Sequence, residues 1–178
     1  LLKDDFPFAK PVFASAVWLE MELRKEEADS AMEQLILLLQ KFNAEDNVIV
    51  AADSAKRTEL EKMRHAAAYK VNEYIAGKGL RKLGTDTAVP HNEFKEFYRF
   101  CKESVKKEGL DYVIYGHFGD SHIHLNMLPK DGREFVLGRQ VYGEICKRAV
   151  ELGGTVSAEH GIGKIKREYL IMMYGNEG

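Results

Sequence analysis

Residues 111–128, DYVIYGHFGDSHIHLNML, constrain what this chain can fold into more than any other stretch. Two runs rich in β-branched and aromatic residues flank a Gly-Asp-Ser segment, the composition of a hairpin turn. Side chains alternate between the faces of a strand, so pairing the two runs sorts every side chain at once. With Gly119-Asp120-Ser121-His122 as a four-residue loop, Phe118 faces Ile123 and His117 faces His124. One face then carries Ile114, Gly116, Phe118, Ile123, Leu125 and Met127, which is a core surface. The other carries Tyr115, His117, His124 and Asn126. Directly opposed residues have Cβ atoms about 4.5–5.5 Å apart, a separation from which two imidazoles can converge on one metal ion. Three of the six histidines of the chain lie in this hairpin. A single strand histidine is more often a hydrogen-bonded structural residue than a ligand, so a further donor has to decide. Asp120 in the turn and Glu159 in SAEHGIG are the candidates. Glycines beside Glu159-His160 let the backbone approach a ligand closely, although a glutamate there also suits an exposed turn near a helix N-terminus.

Around the hairpin the hydrophobic period switches between two and about 3.6 residues. Val17, Leu19, Met21 and Leu23 alternate with Trp18, Glu20 and Glu22 and predict a strand over 14–23. From Ala28 to Phe42 the apolar spacing of three and four predicts a helix. NVIVAAD (47–53) is a short β-branched run, and Ser54 is placed to cap a helix that Gly77 and Gly79 stop. KLGTDTAVP (82–90) reads as extended, followed by a helix with Phe94, Phe97, Cys101 and Val105 inward and Gly109 at its end. A helix over 132–152 turns Phe135, Val141, Ile145 and Ala149 inward, before TVSAEHGIG and a last helix. This irregular alternation with one hairpin predicts an α+β fold rather than a doubly wound parallel sheet.

The 178 residues suit one domain or two small ones. A formal charge of −2, with no basic tract, excludes an electrostatic footprint for nucleic acid. Cys101 and Cys146 are too few for a disulfide framework and point to a reducing compartment, the cytoplasm. No apolar run reaches the roughly 18 residues of a membrane span. The missing initiator Met and the abrupt end at MMYGNEG suggest a piece of a longer polypeptide. HIHLN lacks the third histidine of the histidine triad hydrolases, and Gly163-Lys164 lacks the spacing of a phosphate loop.

GHFGDSHIHLN resembles the Gly-His-x-Gly-Asp-Gly-Asn-x-His segment of the FAD-linked oxidase C-terminal domain, and GGTVSAEHGIGKIKREYL is similar to its Gly-Gly and Glu-His-Gly block. That family includes D-lactate, glycolate and D-2-hydroxyglutarate dehydrogenases. The resemblance implies a ferredoxin-like antiparallel sheet with helices on one face. It implies that residues 1–178 are the substrate- and metal-binding C-terminal part of a flavoenzyme oxidising a small 2-hydroxy acid to its 2-oxo acid. His117, His124 and Glu159 would hold a divalent metal, Zn or Mn. His160 would be the catalytic base, with Glu159 and His160 on the cofactor side. Arg64 and Asn126 would bind the substrate. FAD would sit mainly on an N-terminal domain of the same polypeptide or a partner chain. Ser121 and His122 stand where the family usually has Gly-Asn, which leaves His122 as either an extra ligand or a substitution. The alternative class is a non-catalytic metal-binding or assembly module pairing with a flavoprotein. The electron acceptor, membrane association through it, and a homodimer stay open.

Overall fold

A computed structural model of the chain describes residues 15–44, 46, 48–51, 53–163 and 166–175. It divides into two compact units, Leu2–Ala67 and Ala68–Gly178, with the boundary inside one helix.

The N-terminal unit holds α1 (Ala28–Lys41) and the first turns of α2 (Ser54–Gly77). The helix expected from Ala28 forms, yet it buries none of its residues. The strand expected over 14–23 does not form: residues 15–24 have no regular structure, and residue 14 lies outside the described residues. Val17 and Leu19 are 82% and 60% exposed, not half-buried. A strand needs a neighbour to take its backbone N–H and C=O groups, and the described residues of this unit contain no other strand. Residues 48–51 of NVIVAAD are irregular for the same reason, and 47 and 52 are outside the description. α2 starts where expected but is capped by Asp53, not Ser54: the carboxylate accepts the Lys56 N–H at 2.7 Å. An ionised oxygen answers the partial positive charge of the helix start better than a hydroxyl.

The C-terminal unit is α+β. Its centre is β4 (His122–Met127), the middle of a four-stranded antiparallel sheet. β3 (Tyr112–Tyr115) pairs with one edge of β4. The other edge takes β1 (Leu83–Gly84) and β2 (Thr87–Ala88), which continue one register, Leu83 opposite Met127 and Thr87 opposite Ile123. Between them Thr85 joins the ladder in an unusual way. Its N–H donates to the Leu125 carbonyl at 3.0 Å, but the Leu125 N–H donates to the Thr85 hydroxyl, also at 3.0 Å. The Thr85 carbonyl is thereby left for another donor. Thr155 meets Ala88 through a single bridge, where a ferredoxin-like unit would carry a further strand.

α3 (Phe94–Lys107) and α4 (Gly132–Glu151) cover one face of the sheet. Phe97, Cys101 and Val105 join Val141, Ile145 and Ala149 against Ile123, Leu125 and Met127 in one buried cluster. Phe97, Ile123, Leu125, Met127 and Ile145 each contribute on the order of 1.5–3 kcal/mol by leaving water. The spacing of three and four read from the sequence is what aims them there. Asp131 starts α4 by accepting the Glu134 N–H at 2.9 Å, and Glu134 accepts the Lys130 N–H in return. Helical cover is not confined to that face, contrary to expectation. Val71 and Ile75 from the last turns of α2 pack with Leu128, Val113 and Tyr115, because that end of the second face is apolar and needs cover. The end bearing the histidines is left to the chain around Glu159. α5 (Arg167–Tyr174) completes the unit.

Candidate metal centre

The hairpin closes one residue earlier than its composition suggests. His122 N–H donates to the His117 carbonyl, so the loop is 118–121, and the register sets Tyr115 rather than His117 opposite His124. A 3-10 turn over Phe118–Asp120 followed by Ser121 in the left-handed conformation, φ 55°, makes the reversal. Glycine takes this conformation without cost, and Ser121 offsets part of its strain by a 3.1 Å hydrogen bond with His91 Nδ1. Phe118 leaves the core face, is 45% exposed, and packs edge-on against Phe94 and Tyr98. A register change of two residues preserves the faces, so the division into core and polar faces survives. Its consequence is that His122 enters the strand on the histidine face.

Gly116 allows the close approach. Its φ is 154°, and a Cβ there would lie 2.5 Å from the His122 carbonyl oxygen.

His117, His122, His124 and Glu159 each present a donor atom, and these atoms all lie within 4.8 Å of one another. His117 Nε2 is 2.9 Å from Glu159 Oε1, and His124 Nε2 is 3.5 Å from Oε2. The strand histidines are buried, His122 at 3% and His124 at 8% exposure, whereas His117 and Glu159 face outward. His124 Nδ1 sits 3.3 Å from the Thr85 carbonyl that the hydroxyl swap left available. A proton on Nδ1 satisfies that carbonyl and leaves the Nε2 lone pair pointing at Glu159. Burial and the neighbouring His122 hold the His124 imidazolium below its ordinary pKa, which keeps the ring neutral and able to ligate.

Glu159 and His160 are placed by a residue that the sequence reading passed over. Asp86, 2% exposed, lies in the break between β1 and β2. Its Oδ2 accepts the His160 N–H at 2.9 Å, the Ser157 hydroxyl at 3.0 Å and the Lys166 ammonium at 2.9 Å. Its Oδ1 accepts the Glu159 N–H at 3.2 Å and stands 3.0 Å from His122 Nε2. Burial alone would raise its pKa, but Lys166, the His160 N–H and the Ser157 hydroxyl together hold the carboxyl far below the ordinary range. One buried carboxylate thus winds residues 157–160 around itself and turns the Glu159 side chain toward the histidines. Gly161, at φ 70°, releases the chain from this turn.

Three imidazoles and a carboxylate are a donor set that can hold a divalent metal ion. Two of the imidazoles already carry oxygen acceptors on the far nitrogen, as metal-ligating histidines do. The residues therefore fit a metal.

Residues 7–178 match the family described as FAD linked oxidases, C-terminal domain. The chain belongs to that family. Among curated relatives it is 34% identical over 97 residues to the glycolate oxidase subunit GlcD of Bacillus subtilis, covering 52% of this chain and 20% of that protein. It is 31% identical over 127 residues to the mitochondrial D-lactate dehydrogenase [cytochrome] 1 of Saccharomyces cerevisiae, covering 70% of this chain and 22% of the relative. It is 38% identical over 65 residues to a D-2-hydroxyglutarate dehydrogenase of Xanthomonas citri, covering 34% of this chain and 14% of the relative. The matched stretches thus span only about a fifth of the first relatives' length.

Within this FAD-linked oxidase domain the expected site residues divide. His117, His124, Glu159 and His160 come together; His160 stays exposed, its ring 5.2 Å from that of His124. Asp120 remains exposed at the loop tip, away from the cluster. Asn126 shares the histidine face but is 1% exposed, its Nδ2 donating to the His124 carbonyl at 3.3 Å. Its Oδ1 has no donor among the described residues. Arg64 belongs to the N-terminal unit, where its guanidinium lies 6.0 Å from the centre of the Trp18 ring. Asp86 had one signal in the sequence: an acidic residue inside the otherwise uncharged run LGTDTAVP, where a buried carboxylate needs a partner. The partner is 80 residues away, and no local pattern announces it. No helix among the described residues is long and apolar enough to cross a membrane.

Proposed function

We propose that this domain is the substrate- and metal-binding part of an FAD-dependent dehydrogenase or oxidase that converts a small 2-hydroxy acid to its 2-oxo acid. The observation that carries the reading is the convergence of His117, His124 and Glu159 beside His160 in a chain of this family. When bound, a Zn or Mn ion supplies Lewis-acid polarisation of the substrate hydroxyl and FAD, mainly on another domain, supplies the hydride acceptor. His117, His124 and Glu159 would hold the ion. His160 takes the hydroxyl proton on its imidazole; its backbone is pinned to Asp86 while its side chain stays free to move. Asn126 would offer a carboxamide for the substrate's oxygens. The partners would be the 2-hydroxy acid and the FAD-binding domain of the same polypeptide or a partner chain. We place the enzyme in the cytoplasm, passing its electrons to a downstream acceptor.

The test uses the complete polypeptide with its flavin domain. Glu159→Gln should lower metal content after dialysis. His160→Ala should keep the metal and slow turnover by about 10²-fold or more, as for loss of a general base. An active parent that needs no metal and loses nothing on His117→Ala would overturn the reading. Metal bound without oxidation of any 2-hydroxy acid would favour the non-catalytic module instead.

A further inference from the structure

The fourth member of the cluster has no role in that reading. His122 is 3% exposed, and its two ring nitrogens face two carboxylates. Nε2 is 3.0 Å from Asp86 Oδ1, and Nδ1 is 3.7 Å from Glu159 Oε1. We propose that His122 is a fourth protein ligand of the divalent ion, binding through Nδ1 beside His117, His124 and Glu159, with its Nε2–H anchored on Asp86. This rests on the metal-site reading above and extends it.

Three observations support the assignment. First, at metal–ligand distances of about 2.0–2.1 Å two ligands at a tetrahedral angle sit about 3.3 Å apart. The Glu159 oxygens lie 2.9, 3.7 and 3.5 Å from the near nitrogens of His117, His122 and His124, which brackets that separation. Small side-chain rotations suffice to gather the donors. Secondly, the tautomer is assigned by the acceptor on the far side. Asp86 Oδ1 can only accept, so the His122 proton belongs on Nε2 and the lone pair on Nδ1 faces Glu159. Thirdly, Asp86 is itself held, because Lys166 binds its other oxygen at 2.9 Å. That leaves Oδ1 for His122 and the Glu159 N–H, so one carboxylate orients two ligands at once.

X-ray absorption on the Zn-loaded full chain counts imidazoles directly, and competition with a chromophoric chelator gives affinity. Three imidazoles are expected in the wild type. His122→Gln should show two, with affinity down by 100-fold or more, and Asp86→Asn should keep three while losing about 10- to 100-fold, as for an outer-shell partner. Two imidazoles in the wild type, unchanged in count and affinity by His122→Gln, would overturn the fourth ligand and leave the metal site standing. Failure of the wild type to bind one equivalent of Zn, Mn or Co would overturn both. The wild-type count needs no variant, so misfolding of His122→Gln cannot rescue the proposal.

Discussion

Replacing Lys166 by Met should expose how far the candidate centre depends on one ion pair. Lys166 Nζ lies 2.9 Å from Asp86 Oδ2, with side-chain exposures of 11% and 2%, so both charges are largely out of water. Removing one partner of a buried pair costs about 3–5 kcal/mol, because the other charge is left uncompensated. Asp86 retains donors from His160, Ser157 and Glu159, which argues for the lower end, about 3 kcal/mol. With a urea slope of about 2 kcal/mol/M, the midpoint should fall by about 1.5 M. The pH dependence should change as well. The Asp86 pKa is depressed in the folded chain, so its stabilisation is present above the unfolded carboxyl pKa and is lost as pH falls toward the folded one. Without Lys166, burial is the largest remaining influence, and it raises the pKa. Stability should then be lost at higher pH, moving the acid limb of the unfolding curve upward. The assay is urea unfolding of the metal-free chain in chelator across pH 3–8, followed by the near-ultraviolet circular dichroism of Tyr142 and Tyr169, which are buried in this unit and lose their fixed surroundings on unfolding. A midpoint change below about 0.3 M, with the acid limb in place, would show that Asp86 does not rely on Lys166.

Gly116→Ala should disturb the hairpin, since its Cβ meets the backbone at His122 O and Ile123 Cα at 2.5 and 2.9 Å; a loss of about 2 kcal/mol with weakened metal binding is expected from denaturation and chelator competition. Phe97→Ala, at a fully buried position between α3 and the sheet, should cost about 3–5 kcal/mol by calorimetry or urea. Burial pushes the Cys146 thiol up to about 12 and the Cys101 thiol higher still, so a thiol reagent at pH 8 should find neither in the native chain and both in denaturant. Asp53→Ala should cost the α2 cap about 1 kcal/mol, read as lost helicity on heating.

The sequence by itself determined the α+β class, the bounds of α1, α3 and α4 to within a residue or two, and the division of the hairpin into a core face and a histidine face. These follow from periodicity, which is local: Phe97, Cys101 and Val105 share a helix side whatever they pack against. The Glu-His pair was legible too, through its resemblance to a family to which the chain does belong. Strand existence was not legible where no neighbour could be seen, and Val17 to Leu23 alternate as strands do without any ladder to join. Register was off by two because composition fixes the length of a loop but not which residue adopts φ 55°; only the turn through Phe118 and Ser121 settled that, and it brought in His122. Asp86 and Lys166 belong wholly to the tertiary structure. Neither has a local signature, and a carboxylate becomes an organiser only when folding strips its water and five donors from distant segments replace it.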